Sequence, residues 1–105
     1  MGEIKRFNKY EWASAVLKEL RRKNRAKKYN IILLSWVVAR SYHNQIFYCD
    51  ERIKKDMSIS KKKLWKFYDF LSNNNFIGEI ESCGACGDET YFFVELSMPR
   101  AKDIE

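Results

Sequence analysis

Two groups of residues in this chain of 105 have types and spacings suited to chemistry. The first is Cys83-Gly-Ala-Cys86, a CxxC flanked by glycine. That spacing suits a metal knuckle, but a structural zinc site takes four ligands. Only His43 and Cys49 remain to complete a set with Cys83 and Cys86, and both are expected a helix and a strand away from the cysteine loop. A metal shared between two chains is the other route. The two thiols can also close as a hairpin disulfide, which cytosolic conditions disfavour, or stay free. Free thiols, a Cys83–Cys86 disulfide and a metal at Cys83 and Cys86 all stand as readings of the motif. A dithiol redox catalyst is not indicated, because the CxxC does not follow a strand and open a helix.

The second group is basic. Ser58, Ser60, Lys61, Lys62, Lys63 and Lys66 cluster around one predicted helix start, and Arg21, Arg22, Arg25 and Lys28 belong to a dense run over 21–28. A lysine ammonium is a mobile point charge, so these residues suit phosphate contact better than reading of base edges. The competing reading is a solvated cationic face. Catalysis finds no support: there is one histidine, no Ser-His-Asp set, no paired carboxylates at a readable spacing and no Gly-rich phosphate loop. The chain is expected to be a non-enzyme without a cofactor.

Net charge is +6, and its distribution is uneven. Residues 1–66 hold 18 Lys and Arg against 6 Asp and Glu, whereas residues 67–105 hold 2 against 8. A chain polarised in this way offers a basic face to a polyanion and turns an acidic face away. Apolar residues at 46% and charged residues at 32% are ordinary for one folded domain. No apolar run approaches the roughly 20 residues of a membrane span, and no secretory or myristoylation signal is readable at the start. A cytoplasmic or host-interior protein that does not engage membranes is expected.

The elements that must position these groups follow from periodicity. Trp12, Ala13, Val16, Leu17 and Leu20 recur at helical spacing, predicting a helix over about 9–25 with Asn8 as cap and Glu11 three residues on. Asn30 is expected to cap a second helix over about 31–43, since that apolar run is too long for a typical strand. A short extended piece at 46–48 leads to a helix over 51–57 capped by Asp50. Ser60 caps the next helix, with Leu64, Phe67, Tyr68 and Leu71 on its inner face. At about 100° per residue, Lys62, Lys66 and Asp69 fall on the outer face, with Lys63 and Trp65 on the flanks. Asn73-Asn74-Asn75 ends it, because asparagine tolerates the left-handed conformation. Two strands, from 76 to 81 and from 90 to 96, are expected to join through the cysteine loop. Trp12 and Trp65 read as core or dimer-interface residues rather than stacking platforms.

Helix, three-residue turn at Met57-Ser58-Ile59, basic-aromatic helix, then hairpin: this order over 29–97 resembles the winged helix-turn-helix DNA-binding superfamily. The resemblance is one of pattern and element order. It implies an α+β fold, a three-helix core with a two- or three-stranded wing, here with an extra basic amphipathic N-terminal helix over 1–28 and a polar tail over 98–105. It further implies double-stranded DNA as partner, the helix after Ser60 in the major groove, and a role as a small transcriptional regulator, of viral, phage or plasmid type. A homodimer through the N-terminal helix is expected, since its apolar face exceeds what a wing domain needs. The hairpin departs from the pattern: it offers Glu79, Glu81, Asp88 and Glu89 and no basic residue. That feature fits an alternative in which the acidic wing docks a polymerase or replication partner. A replication or RNA-binding accessory protein using the 21–28 run is the other alternative.

Overall fold

The computed structural model describes residues 7–86 and 89–99, apart from the side chains of residues 47, 85, 86 and 89. Along the chain run α1 (Lys9–Arg22), α2 (Lys28–Arg40), β1 (Gln45–Cys49), α3 (Asp50–Met57), α4 (Lys61–Asn73), β2 (Glu81–Cys86) and β3 (Glu89–Glu95). The fold is α+β, with four helices among the described residues and one antiparallel sheet of order β1-β3-β2. β3 is therefore central, with Ile46 opposite Val94 on one side and Ser82 opposite Phe92 on the other. The expected lead-in at 1–6 and tail at 100–105 lie outside the described residues.

α1 begins where Asn8 accepts the backbone N–H groups of Tyr10 and Glu11 on Oδ1, at 2.9 and 3.2 Å. These two bonds satisfy donors that the helix cannot satisfy itself. The helix stops at Arg22, short of the expected 25, as Asn24 turns left-handed with φ 56°. Its inner stripe of Trp12, Val16 and Leu20 is fully buried and joins the same hydrophobic cluster as Leu33, Val37, Phe67 and Leu71.

α2 starts three residues before the expected position. Asn30 is not its cap but sits in its first turn, buried, with Nδ2 donating to the carbonyl of Arg25 at 2.7 Å. The capping chemistry of asparagine is present, but it serves the α1–α2 connection instead of the helix end. α2 also ends early, at Arg40 rather than near 43. Tyr42 and Gln45 exchange backbone hydrogen bonds across a tight turn in which His43 takes φ 55°.

α3 and α4 meet at Ser58, which closes α3 in the left-handed conformation with φ 53°. One such residue turns the chain sharply enough for α4 to begin three residues later. Ser60 then caps α4, accepting the Lys63 N–H on Oγ at 3.3 Å. Ser60→Ala is expected to cost about 1 kcal/mol, and Ser60→Gly only a few tenths, in a urea-unfolding comparison. Equal stability of Ser60→Ala and the parent would show that the capping bond is not formed in solution. At the far end the Asn74 side chain donates to the Phe70 carbonyl, and Asn75 turns left-handed at φ 63°.

β2 corrects the expectation of a strand from Phe76. Ile77 bridges Leu96, and the Gly78 N–H donates to the Glu95 carbonyl, but the regular strand starts at Glu81. Gly78 lies opposite Glu95 while Glu81 lies opposite Phe93, so one extra residue is absorbed between them. A second slip falls between Ser82 and Gly84, at Cys83. Such bulges bend and twist the hairpin locally. They also place Cys83-Gly-Ala-Cys86 within β2 rather than in the turn, with Cys86 paired to Glu89.

Candidate nucleic-acid interface

The candidate interface is built on α4. Leu64, Phe67, Tyr68, Phe70 and Leu71 are buried, which fixes the rotation of the helix about its axis. Lys61, Lys62, Lys63, Lys66 and Asp69 are thereby exposed. Each flank of the helix meets a neighbour. On one side Trp65 packs edge-on against Phe92 of β3, with ring centroids 6.2 Å apart. On the other, the Lys63 ammonium sits 5.0 Å from the ring centre of Tyr29 in α2. What remains outward by helical spacing is a stripe of Lys62, Lys66, Asp69 and Asn73.

That stripe runs into a groove of about 850 Å³ between the C-terminal half of α4 and the α1–α2 connection. Lys66, Asp69 and Asn73 form one wall, and Lys23, Arg25 and Lys27 line the other. Lys23 is partly committed to holding the walls together. Its ammonium donates to Asn74 Oδ1 at 2.7 Å, lies 3.6 Å from Glu19 Oε1 and rests over the Phe70 ring. Among the described residues no ion pair engages Arg25, Lys27, Lys62 or Lys66. Their charge is therefore available to a polyanion, with Asp69 the one carboxylate among the described residues lining the groove.

The residues expected at the site are distributed unevenly. Lys66 and Arg25 come together in the groove, and Lys62 lies one turn before Lys66 on the same stripe of α4 without lining it. Ser60 is used as a helix cap, and Ser58 is the exposed pivot between α3 and α4. Lys61 stands at the first position of α4, close enough to the buried Asp50 to act on its charge. Arg22 is taken up by Glu19, donating from Nε to both carboxylate oxygens at 3.1 Å, which holds that carboxyl below its usual range. Arg21 and Lys28 are exposed but do not line the groove. Lys23, Lys27, Asn73 and Asn74 belong to the face, and the sequence reading did not single them out. Lys23 and Lys27 fall within the 21–28 run read as a phosphate contact or a solvated helix end, whereas the asparagine triplet was read only as a helix end.

Beneath α4 lies an aromatic stack that ties it to the sheet. Tyr48 of β1 stacks on Phe92 at 5.5 Å and tilts against Tyr68 at 5.1 Å, while Trp65 meets Tyr68 edge-on at 5.7 Å. The hydroxyls of Tyr48 and Tyr68 are buried, as is Asp50, and one Asp50 oxygen has no hydrogen-bond partner. Burial pushes both phenols well above their usual range and raises the Asp50 carboxyl, with Glu51 adding to the Asp50 shift.

The cysteines do not form a common site. Cys49 is buried at the end of β1 and its thiol donates to Glu51, whereas Cys83 is an exposed free thiol in β2. The Cys86 side chain lies outside the described residues. His43 packs on Tyr42 in the turn before β1. Among the described residues, no three His, Cys, Asp or Glu side chains are grouped to hold a metal ion. The hairpin exposes Glu79, Glu81 and Glu95; the expected acidic contribution of Asp88 and Glu89 lies outside the described residues. No described helix is long and apolar enough to cross a membrane.

Comparison with protein-family models, with curated proteins and with solved structures finds no match for this chain. Its described residues form an α+β domain of four helices and a small antiparallel sheet, with a cationic face on one helix.

Proposed function

We propose that this protein is a winged-helix, non-enzymatic binder of double-stranded DNA, acting as a small transcriptional regulator. One observation carries the reading: Lys66 of the α4 stripe lines one groove with Arg25 and Lys27 of the α1–α2 connection, and among the described residues no ion pair engages these three or Lys62, one turn before Lys66 on α4. The sheet order β1-β3-β2 and the helix, strand, helix, helix, hairpin sequence support the winged-helix plan. In this reading α4 enters the major groove, and the lysines neutralise phosphates and release counterions. The walls with Arg25 and Lys27 follow the backbone beside that groove. Phosphate contact supplies affinity here, and base readout contributes little, because lysine lacks the planar fork of arginine.

The exposed Glu79 and Glu81 favour a hairpin held off the duplex, since carboxylates beside phosphates repel. They also favour a second reading, in which the hairpin docks a basic protein such as a polymerase or replication partner.

Fluorescence anisotropy on a labelled duplex, titrated across potassium chloride concentrations, separates these readings. Affinity is expected to fall steeply with salt. The Lys62→Glu/Lys66→Glu pair is expected to weaken binding by roughly tenfold or more and to flatten the log–log salt slope by about 2. Absence of duplex binding at low salt would rule the proposal out. Sensitivity to Arg25→Glu/Lys27→Glu alone would move the site off α4, to the α1–α2 connection.

A further inference from the structure

A second groove, of about 590 Å³, lies between α1 and α2 and shares no lining residue with the cationic one. Apart from Lys9, whose ammonium donates to the Ser41 carbonyl at 3.2 Å, its walls are apolar or small: Ala13, Ser14 and Leu17 from α1 face Leu34, Ser35 and Val38 from α2. Tyr10 and Ile31 at its rim are 67% and 42% exposed, unusual for large apolar side chains in a domain that buries most of the others. Ser35 offers the groove little polarity, because its hydroxyl donates back to the Ile31 carbonyl at 3.0 Å.

The charges on α1 identify the occupant. Glu11 stands three residues before Ser14 and Lys18 four residues after it, so both lie on the edge of this face that Ser14 marks. Both are exposed, and neither has an ion pair among the described residues. When two α1 helices cross antiparallel about a twofold axis at Ser14, Glu11 of each copy arrives beside Lys18 of the other. The same operation lays Tyr10 of each copy toward Leu17 of the other. A parallel crossing would instead set Glu11 against Glu11 and Lys18 against Lys18. Ala13 and Ser14 at the crossing point have side chains small enough for close approach of the two helices. The geometry points to a second copy of this chain as the occupant, in an isologous dimer with antiparallel α1 helices and two Glu11–Lys18 pairs. The inference does not depend on DNA binding, and the dimer would leave the α4 face of each copy open.

Sedimentation equilibrium of the full chain without nucleic acid tests it. The parent is expected to be dimeric. Glu11→Lys and Lys18→Glu alone should each weaken the dimer by about tenfold, because two attractive pairs become two repulsive ones. The double exchange Glu11→Lys/Lys18→Glu should restore it, and so should mixing the two single variants, which are complementary to each other. Val38→Glu should give a monomer with an unchanged circular-dichroism spectrum. A parent that stays monomeric overturns the inference, as does a dimer indifferent to all three charge variants. A monomer that still binds duplex would overturn the dimer while leaving the DNA reading intact.

Discussion

Trp12→Ala is expected to destabilise the fold by about 3–5 kcal/mol, the range for truncating a fully buried aromatic side chain. The whole domain is held by a net stability of only about 5–15 kcal/mol, so the variant should sit near the edge of folding at physiological temperature. The size of the effect follows from where the indole lies. Trp12 is 0% exposed, meets Phe76 edge-on with centroids 6.4 Å apart, and donates from Nε1 to the Phe76 carbonyl at 2.9 Å. That carbonyl also accepts the Ser97 N–H, so α1, the exit from α4 and the end of β3 are fastened at one point. Trp12→Phe keeps most of the apolar volume and loses the hydrogen bond, and a smaller cost of about 1–2 kcal/mol is expected. Urea unfolding followed by circular dichroism gives both values. If Trp12→Ala unfolds at the same urea concentration as the parent, α1 is a detachable appendage and its burial contributes nothing to the fold.

Asp50→Asn is expected to act in the opposite direction, raising stability more at neutral pH than in acid. Asp50 is the first residue of α3, where the helix dipole favours a negative charge by about 0.3–1 kcal/mol. Lys61 and the Trp65 indole also favour the carboxylate, yet burial outweighs them and raises the carboxyl above its usual range. The folded state then binds its proton more tightly than the unfolded chain does. Ionised Asp50 therefore weakens the fold, increasingly as pH rises through the ordinary carboxylate range to its raised folded value, and by a constant amount above that. Below the ordinary range both states are protonated and the penalty disappears. The advantage of Asp50→Asn should accordingly grow as pH rises through the carboxylate range and fade in acid. Urea midpoints of parent and variant at several pH values measure this. A variant less stable than the parent at neutral pH, or an advantage independent of pH, would contradict it.

Most of α4 was readable from the chain because every determinant is local. The i, i+3, i+4, i+7 spacing of Leu64, Phe67, Tyr68 and Leu71 specifies the buried face, Ser60 supplies its own capping oxygen, and the lysines are left outside by subtraction. The burial of Trp12 was likewise readable as core or interface. Its bond to a carbonyl 64 residues away was not, since no local pattern encodes a long-range partner. The start of α2 was misplaced for a related reason. Asn30 has the chemistry of a cap, but the available carbonyl of Arg25 captures its amide, and the helix begins earlier without a side-chain cap. The hairpin was drawn too regular, because alternation of apolar residues cannot register the two extra residues that the sheet absorbs. The charge imbalance along the chain predicted a basic face. Only the packing of the α1–α2 connection against α4 brings Arg25 and Lys66 to the same groove while leaving Arg21 and Lys28 outside it.

The Trp65–Phe92 contact also gives the protein an optical gauge. Trp12 is sealed in the core, and Trp36 is nearly so, with the Arg40 guanidinium 5.9 Å from its ring centre. Trp65 alone among the three tryptophans is only partly buried, and it stands where α4, β3 and Asp50 meet. Intrinsic emission that responds to an added quencher must then come chiefly from this indole. Rearrangement of the contact between α4 and β3 therefore registers in this one signal, so that movement of the hairpin can be followed without a label.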